Sequence, residues 1–274
     1  MPLMHVLIAI AVVACWGLNF VFIKLALHDL PPFTLAAARF LLVALPAVFF
    51  IPRPKVPFKM LAGYGLTSFA LQFGFLFLAM RMGMSAGLSS MILQVQVFFT
   101  IGLSMYVFGE RPTFLRLFGA FVSFLGVVLV GFHADKDTTI FSVILLLFGA
   151  LSWATGNVFA KSMGKVNAFA LVVWGGLVAL PALLIFAAIM EGPQVMWTSA
   201  MNMTATGWWS VAYIVYISTY FGYSLWNWLL KTHSAAVVAP FTLLVPVFGF
   251  LSSVLILNEE LLDWKIHAGA LVVN

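Results

Sequence analysis

Long apolar runs dominate the sequence, and no short segment alternates strictly between apolar and polar positions as in a membrane β-barrel. Nearly every run is close to the ~20 residues of helix that cross the ~30 Å hydrocarbon core of a bilayer. The pattern therefore predicts an all-α integral membrane protein with ten transmembrane helices. The expected spans are Leu3–Leu27, Phe33–Ile51, Phe58–Met80, Met84–Phe108, Phe114–Phe132, Thr139–Ser162, Ala168–Met190, Gly207–Leu230, Ala235–Leu257 and Leu262 onward. The last run ends at Asn274, so the tenth helix is expected to be truncated in this sequence.

Short sequence patterns recur in the same order in the two halves of the chain. Trp16-Gly17-Leu18-Asn19 followed by Lys24 returns as Trp153 to Asn157 followed by Lys161, Val43–Ala47 as Val178–Ala182, Phe73-Gly74-Phe75 as Phe221-Gly222-Tyr223, and Gly109-Glu110 as Asn258-Glu259. Five spans per half is an odd number, so the second half would enter the membrane from the opposite side. We expect two inverted five-helix repeats, residues 1–134 and 135–274, with a substrate cavity near the midplane between them.

Composition supports a lipid environment and argues against several partners. The chain is 64% hydrophobic and only 8% charged, against about 25% charged residues in a soluble domain. The net charge of +5 comes from dispersed lysines and arginines, so no nucleic-acid surface is expected. These basic residues are more frequent in the loops that would share a side with the N-terminus, which predicts that both termini are cytoplasmic.

Carboxylates are missing from the interior of the predicted spans. The acidic residues all lie at helix ends or in loops: Asp29, Glu110, Asp135, Asp137, Glu191, Glu259, Glu260 and Asp263. A proton relay or a cationic-drug pump normally needs a carboxylate inside the membrane. The spans also lack an acid pair or a Ser/His/Asp set, and the histidines lack metal-ligand spacing. We therefore expect no enzyme, no metal and no cofactor.

Amides and aromatic rings are what the predicted spans do contain. Amides are costly in lipid unless they bond to one another, to backbone or to a ligand, and an ammonium group can sit over a ring face. A small zwitterionic metabolite suits such a lining. The candidate substrate-binding residues are Trp16, Asn19, Gln72, Gln94, Gln96, Trp153, Asn157, Tyr220, Tyr223 and Asn227. The alternative is that these groups only join helices to one another.

Helical geometry adds two expectations about these candidates. Gln94 and Gln96 lie about 200° apart on a helix, so only one of them should face the cavity, and the sequence does not say which. Tyr216, Tyr220, Tyr223 and Asn227 follow a spacing that places them on one face of the eighth span.

Charged residues and prolines inside the spans are candidates for a gating role. Lys24 lies near a helix end, where it either reaches the interface or contacts a substrate carboxylate at the cavity mouth; Lys161 is its counterpart. Arg39 lies roughly 9 Å inside the second span. It would pair with Asp29 as an outer gate or with backbone carbonyls. Prolines that interrupt helices are plausible bending points, and the candidates are Pro46, Pro181, Pro240 and Pro246.

Several of these motifs resemble one family of membrane proteins. Trp16-Gly-Leu-Asn-Phe, Gly109-Glu110-Arg111, Arg53-Pro54-Lys55-Val56-Pro57, Leu244-Val245-Pro246-Val247 and the double repeat are similar to the EamA-type drug/metabolite transporters, above all the bacterial O-acetylserine/cysteine exporters. The resemblance implies an inner-membrane exporter of small amino-acid-like metabolites. Two alternatives stay open: an exporter of aromatic amino acids or apolar drugs, and a membrane protein that transports nothing. A small-residue face of Gly119, Ser123 and Gly126 predicts close helix packing or a homodimer contact.

Overall fold

Every regular element in the part of the chain that the structure describes is helical. A computed structural model describes residues 1–84, 86–114 and 139–257, together with positions 118, 121 and 125. The helices are α1 (Leu3–Ala26), α2 (Pro32–Ala44), α3 (Phe58–Arg81), α4 (86–108), α5 (Ile140–Ser162), α6 (Ala168–Met190), α7 (Pro193–Met201), α8 (205–232) and α9 (Ala235–Leu257). The predicted tenth span and most of the predicted fifth lie outside the described residues, as does the small-residue face of the fifth.

The long helices fit a membrane by length and composition. Seven helices of the described residues are long and apolar enough to cross one, and they include α1, α5 and α6. α8 has a similar length but carries more tyrosine, tryptophan, serine and threonine. Polar side chains mark several helix starts: Thr139, Asn167 and Thr204 each accept a hydrogen bond from a backbone N–H of the first turn that follows.

Contacts at the helix ends establish the relative direction of α1 and α5. At one end of the bundle, His5 Nδ1 lies 2.7 Å from His233 Nε2, and Lys161 Nζ donates to the His233 carbonyl at 3.0 Å. This end is called the N-terminal face. α1 begins there and α5 ends there, so the two helices that carry the repeated Trp, Asn and Lys pattern run in opposite directions. That arrangement agrees with the predicted inverted repeat.

The opposite face is closed by two carboxylates that accept backbone hydrogen bonds. Glu191, at the end of α6, accepts from the Phe33 and Thr34 amides at 2.7 and 2.8 Å. Asp29, just after α1, accepts from the amide and hydroxyl of Thr204 at 2.9 and 2.7 Å. Each carboxylate therefore stabilises the N-terminus of a helix from the other half, where unpaired N–H groups favour a negative charge.

The prolines behave differently from one another. α2 ends at Ala44, and Pro46 precedes a short turn of 3-10 helix at Ala47–Phe49. Its predicted counterpart, Pro181, lies inside the unbroken helix α6, so the expectation that it interrupts its helix is wrong. In α9, Pro240 lies within a 3-10 segment, and Pro246 lies in the first turn of the regular helix that follows it.

Two equivalent helices contain π-helical segments that the sequence did not predict. They are Leu66–Leu71 in α3 and Tyr213–Tyr223 in α8. The wider turn changes the angle between successive side chains, and such segments are frequent at functional sites. Tyr216 is consequently 61% exposed, whereas Tyr223 is 4% exposed. The prediction that these tyrosines share one face is therefore wrong.

α3 and α6 approach one another through glycine. A Cβ on Gly65 would overlap the Gly175 carbonyl oxygen and lie 3.1 Å from both the Cα and the carbonyl carbon of Gly175. Gly65 and Gly175 are both buried. The backbones of the two helices are thus in direct contact. A side chain at Gly65 would fit only if one helix moved away from the other.

Candidate functional site

A cavity lies at the centre of the bundle and receives side chains from both halves. The centre of a water-sized sphere can occupy about 60 Å³ of it. Its lining is mostly apolar and aromatic with a few polar groups, as in many small-molecule sites. The lining residues are Trp16, Asn19, Phe20, Ile23, Arg39, Gln72, Phe73, Leu76, Leu93, Gln94, Trp153, Ser218, Tyr223 and Val245. Of the predicted substrate-binding residues, the structure brings together Trp16, Asn19, Gln72, Gln94, Trp153 and Tyr223.

Trp16 is the centre of an aromatic wall. Its ring centroid lies 5.5 Å from that of Trp153, 5.1 Å from that of Tyr223 and 5.3 Å from that of Trp226. Its indole N–H donates to the Ser218 carbonyl in the π-helical segment of α8 at 3.0 Å. A Cβ on Gly222 would lie 2.5 Å from Trp16 Nε1, so this indole fits only because position 222 carries no side chain.

Several polar atoms of the lining residues are buried without a partner. Asn19 Oδ1, Gln94 Oε1, Trp153 Nε1 and Ser218 Oγ make no hydrogen bond within the described part of the chain. The side chains that carry them are at most 7% exposed. Leaving such an atom unsatisfied costs about 1–3 kcal/mol. The group offers two acceptors, one donor and one hydroxyl to a polar molecule in the cavity.

Arg39 places a positive charge on this cavity. It is 3% exposed, its Nε donates to Thr219 Oγ1 at 2.7 Å, and its guanidinium carbon lies 4.5 Å from the centre of the Phe73 ring. The predicted pairing with Asp29 or with backbone carbonyls is wrong. Asp29 is engaged with Thr204 at the opposite face, and the bond that the structure gives Arg39 goes to a hydroxyl.

Gln94 rather than Gln96 lies on the cavity, and Gln96 belongs to a polar cluster beside it. Gln96 Nε2 donates to Thr242 Oγ1 at 2.8 Å, and Gln96 Oε1 accepts from Thr100 Oγ1 at 2.9 Å. Asn157 Nδ2 donates to Thr100 Oγ1 at 3.1 Å, and Asn157 Oδ1 accepts from Trp226 Nε1 at 3.1 Å. The partners of Gln96 and Asn157 join α4, α5, α8 and α9, so these two residues bond to protein and do not line the cavity.

The remaining two candidates also bond to other helices. Asn227 Nδ2 donates to the hydroxyl of Tyr64 at 2.7 Å, and the hydroxyl of Tyr220 donates to the Val43 carbonyl at 2.7 Å. Neither residue lines the cavity. For Gln96, Asn157, Tyr220 and Asn227, the alternative that polar groups join helices fits the geometry better than a place on the cavity.

A charged contact that sequence reasoning missed closes the N-terminal face. Glu110, directly after α4, accepts from Lys161 at the end of α5, and its other oxygen accepts from the Ala235 amide at 3.0 Å. Lys161 therefore pairs with Glu110 instead of extending freely to the membrane–water interface, and it does not line the cavity. The pKa of His233 is lowered by desolvation and by three neighbouring groups: His5, the N-terminal amine and Lys161.

Lys24 lies at the other end of the bundle, in an exposed position of the last turn of α1, and does not line the cavity.

The fold and cavity define a class of protein: a multi-pass helical membrane protein whose two halves enclose a partly polar chamber. A family profile described as "EamA-like transporter family" matches residues 3–132 and 140–273. The chain belongs to the EamA-like transporter family.

Relatives and a solved structure agree with this assignment. A "Probable amino-acid metabolite efflux pump" of Escherichia coli (strain K12) is 39% identical, with 97% of this chain and 91% of that protein covered. The protein with the same description from Salmonella typhimurium is 41% identical over the same shares. A crystal structure with 16% identity superposes with a TM-score of 0.76 over 98% of this chain and 94% of that chain, which supports the fold.

Proposed function

We propose that this protein exports small amino-acid metabolites, chiefly O-acetylserine and cysteine, across the bacterial inner membrane. Relatives that cover nearly the whole chain are described as amino-acid metabolite efflux pumps. The observation that carries the proposal is the set of unpaired polar atoms on the lining: the oxygens of Asn19 and Gln94, the indole N–H of Trp153 and the hydroxyl of Ser218. Acceptors and donors around one chamber suit a solute that carries both an ammonium and a carboxylate.

Transport would proceed by alternating access, with the chamber opening to one face at a time. The chamber lies between two oppositely inserted halves, the usual place for a transporter substrate. Separate groups close the two faces: Glu110 with Lys161 and Ala235 at one, and Glu191 and Asp29 at the other. Either set can therefore break while the other persists. The N-terminal face would be the cytoplasmic one, and facilitated diffusion is preferred to proton antiport because none of the described residues that line the cavity carries a carboxylate.

Counterflow in proteoliposomes tests this function directly. Vesicles loaded with unlabelled O-acetylserine should accumulate labelled O-acetylserine, and a strain that lacks its own exporters should release more O-acetylserine or cysteine when it expresses this chain. A folded, reconstituted protein without counterflow for any small amino acid would contradict the proposal. Running the assay with and without a pH gradient separates facilitated diffusion from proton coupling.

A second candidate substrate class follows from the aromatic wall. The rings of Trp153 and Tyr223 line the cavity beside Trp16, with their centroids 5.5 and 5.1 Å from that of Trp16. Such a surface also suits aromatic amino acids or apolar drugs. Competition decides between the two classes. If O-acetylserine is the substrate, phenylalanine should inhibit its counterflow weakly; strong inhibition by phenylalanine would favour the second class.

The contact at Glu110 gives a prediction about access. Glu110→Gln should weaken the closure of the N-terminal face, because the amide keeps a hydrogen bond but loses the charge that faces Lys161. The reporter is Ala239→Cys in a Cys15→Ser background, since Ala239 is fully buried in a cluster with Val97 and Ile101. The difference between a charged and a neutral hydrogen bond is about 1 kcal/mol, so the rate of thiol labelling should rise roughly fivefold.

The matched control is Glu191→Gln at the opposite face. It makes the same chemical change in a carboxylate that accepts from the Phe33 and Thr34 amides. This variant should leave the labelling rate of the cysteine at position 239 near that of the reporter alone. Equal labelling in both variants would show that Glu110 does not close the N-terminal face.

A further inference from the structure

Among the described residues that line the cavity, Arg39 carries the formal charge, and only part of its guanidinium is bonded to protein. An arginine carries five N–H donors. Only Nε donates within the described part of the chain, to Thr219, and the hydroxyl of Thr219 in turn donates to the Ile214 carbonyl at 2.7 Å. The π-helical segment of α8 thus fixes one edge of the guanidinium. The other edge, with both terminal nitrogens, keeps its donors available.

The surroundings of Arg39 contain rings and amides rather than a counter-charge. The planes of Phe73 and Phe40 lie beside the guanidinium, with 4.5 and 5.4 Å from its carbon to the ring centres. Tyr223 and Gln72 share the lining and carry no formal charge. Among the described residues, no carboxylate lies within ion-pair distance of Arg39. An intramembrane charge without a partner is costly, and such residues mark substrate pathways.

We propose that Arg39 binds the carboxylate of the transported metabolite, while the side-chain oxygens of Asn19 and Gln94 accept from its ammonium group. A planar guanidinium with two free nitrogens matches a carboxylate through two parallel hydrogen bonds. The unpaired acceptors on the same cavity give the substrate a defined orientation. Arg39 is then the residue that selects amino acids over the corresponding esters and amines. This inference rests on the proposed export function.

The other cations of the spans are less suited to this role. Lys161 is neutralised by Glu110 at the N-terminal face, and Lys24 lies in an exposed position at the opposite end of α1. Neither of them lines the cavity, whereas Arg39 does. The charge that can meet a substrate inside the chamber therefore comes from α2.

The test compares two competitors that differ only in the carboxylate. Counterflow of labelled O-acetylserine is measured against unlabelled O-acetylserine and against its methyl ester. Removing one partner of a buried charge pair costs 2 kcal/mol or more, so the ester should compete roughly 30-fold less well with the native protein. Arg39→Gln should lower flux and bring the two competitors to nearly equal potency. Arg39→Lys, which keeps the charge but not the planar fork, should keep part of the preference.

Two further variants separate recognition from folding. Arg53→Gln makes the same change in the exposed loop between α2 and α3, and it should leave both flux and preference unchanged. Thr219→Val keeps the charge of Arg39 but removes its hydrogen bond, so the preference for the acid should fall severalfold. Elution as a single species in detergent shows that each variant is folded. If Arg39→Gln does not fold, the competition between acid and ester is judged on the native protein and on Thr219→Val.

The outcomes distinguish this inference from the function on which it rests. If the native protein transports O-acetylserine but the ester competes as well as the acid, Arg39 does not read the carboxylate, and the export function stands. The same conclusion follows if Arg39→Gln folds and keeps the full preference. If the native protein shows no counterflow of any amino acid, the export function is wrong and the inference fails with it.

Discussion

Replacing Gly65 with alanine should remove most of the folded protein. The new methyl group would overlap the carbonyl oxygen of Gly175, and the nearest atoms are backbone, which cannot rotate away as a side chain can. The only relief is a shift of α3 against α6, which would disturb packing along both helices. Overpacking of this kind costs about 3 kcal/mol or more. The measurement is the fraction that elutes as a single species in detergent, together with its midpoint of thermal unfolding.

Gly102 supplies the matched control for that experiment. It lies in α4, and a Cβ there would meet nothing within 4 Å. Gly102→Ala should keep or slightly raise the thermal midpoint, because alanine favours a helix over glycine by about 1 kcal/mol. Equal behaviour of the two variants would show that α3 and α6 do not touch at Gly65.

The two glutamines of α4 should give opposite results when each is changed to leucine. Gln94→Leu removes the unpaired oxygen on the cavity, so transport should fall roughly tenfold or more while the folded protein survives. Gln96→Leu leaves Thr242 and Thr100 without their partner, so the main effect should be a loss of stability. Each buried group left unpaired costs about 1–3 kcal/mol.

Transport and thermal stability are both measured for each of the two glutamine variants. Counterflow of labelled O-acetylserine is normalised to folded protein in the vesicles, and the thermal midpoint is measured in detergent before reconstitution. A Gln94→Leu protein with full transport, or a Gln96→Leu protein with native stability and reduced transport, would exchange the roles that the structure gives these residues.

Sequence reasoning placed several side chains of the regular helices on the central cavity. On α1 the helical spacing places both Trp16 and Asn19 on the cavity lining, as expected. On α5 only Trp153 lies there, because Asn157 bonds to Thr100 and Trp226 instead. The repeat of the same pattern correctly implied that α1 and α5 run in opposite directions. Seven of the predicted spans in the described part of the chain agree with the structure to within two residues at each end, since long apolar runs leave few alternatives. The second span is the exception, because α2 ends at Ala44 rather than at the predicted Ile51.

The predictions failed where local geometry departs from α-helix or where partners are distant in sequence. The π-helical segment of α8 brings Ser218 onto the cavity and leaves Tyr216 exposed, and no simple residue pattern marks that change. The choice between Gln94 and Gln96 depends on partners in α5 and α9, which a single sequence does not identify. The pairing of Glu110 with Lys161 likewise joins two residues that are 51 positions apart in the sequence.

The glycine beside Trp16 shows how far the two halves have diverged. Gly74 and Gly222 occupy matching places in the repeated pattern, yet a Cβ on Gly74 would come no closer than 3.8 Å to a ring carbon of Phe186, whereas one on Gly222 would collide with an indole. Alanine therefore fits at position 74 but not at position 222. The two copies of this pattern therefore have different packing, so the halves are not interchangeable at this position.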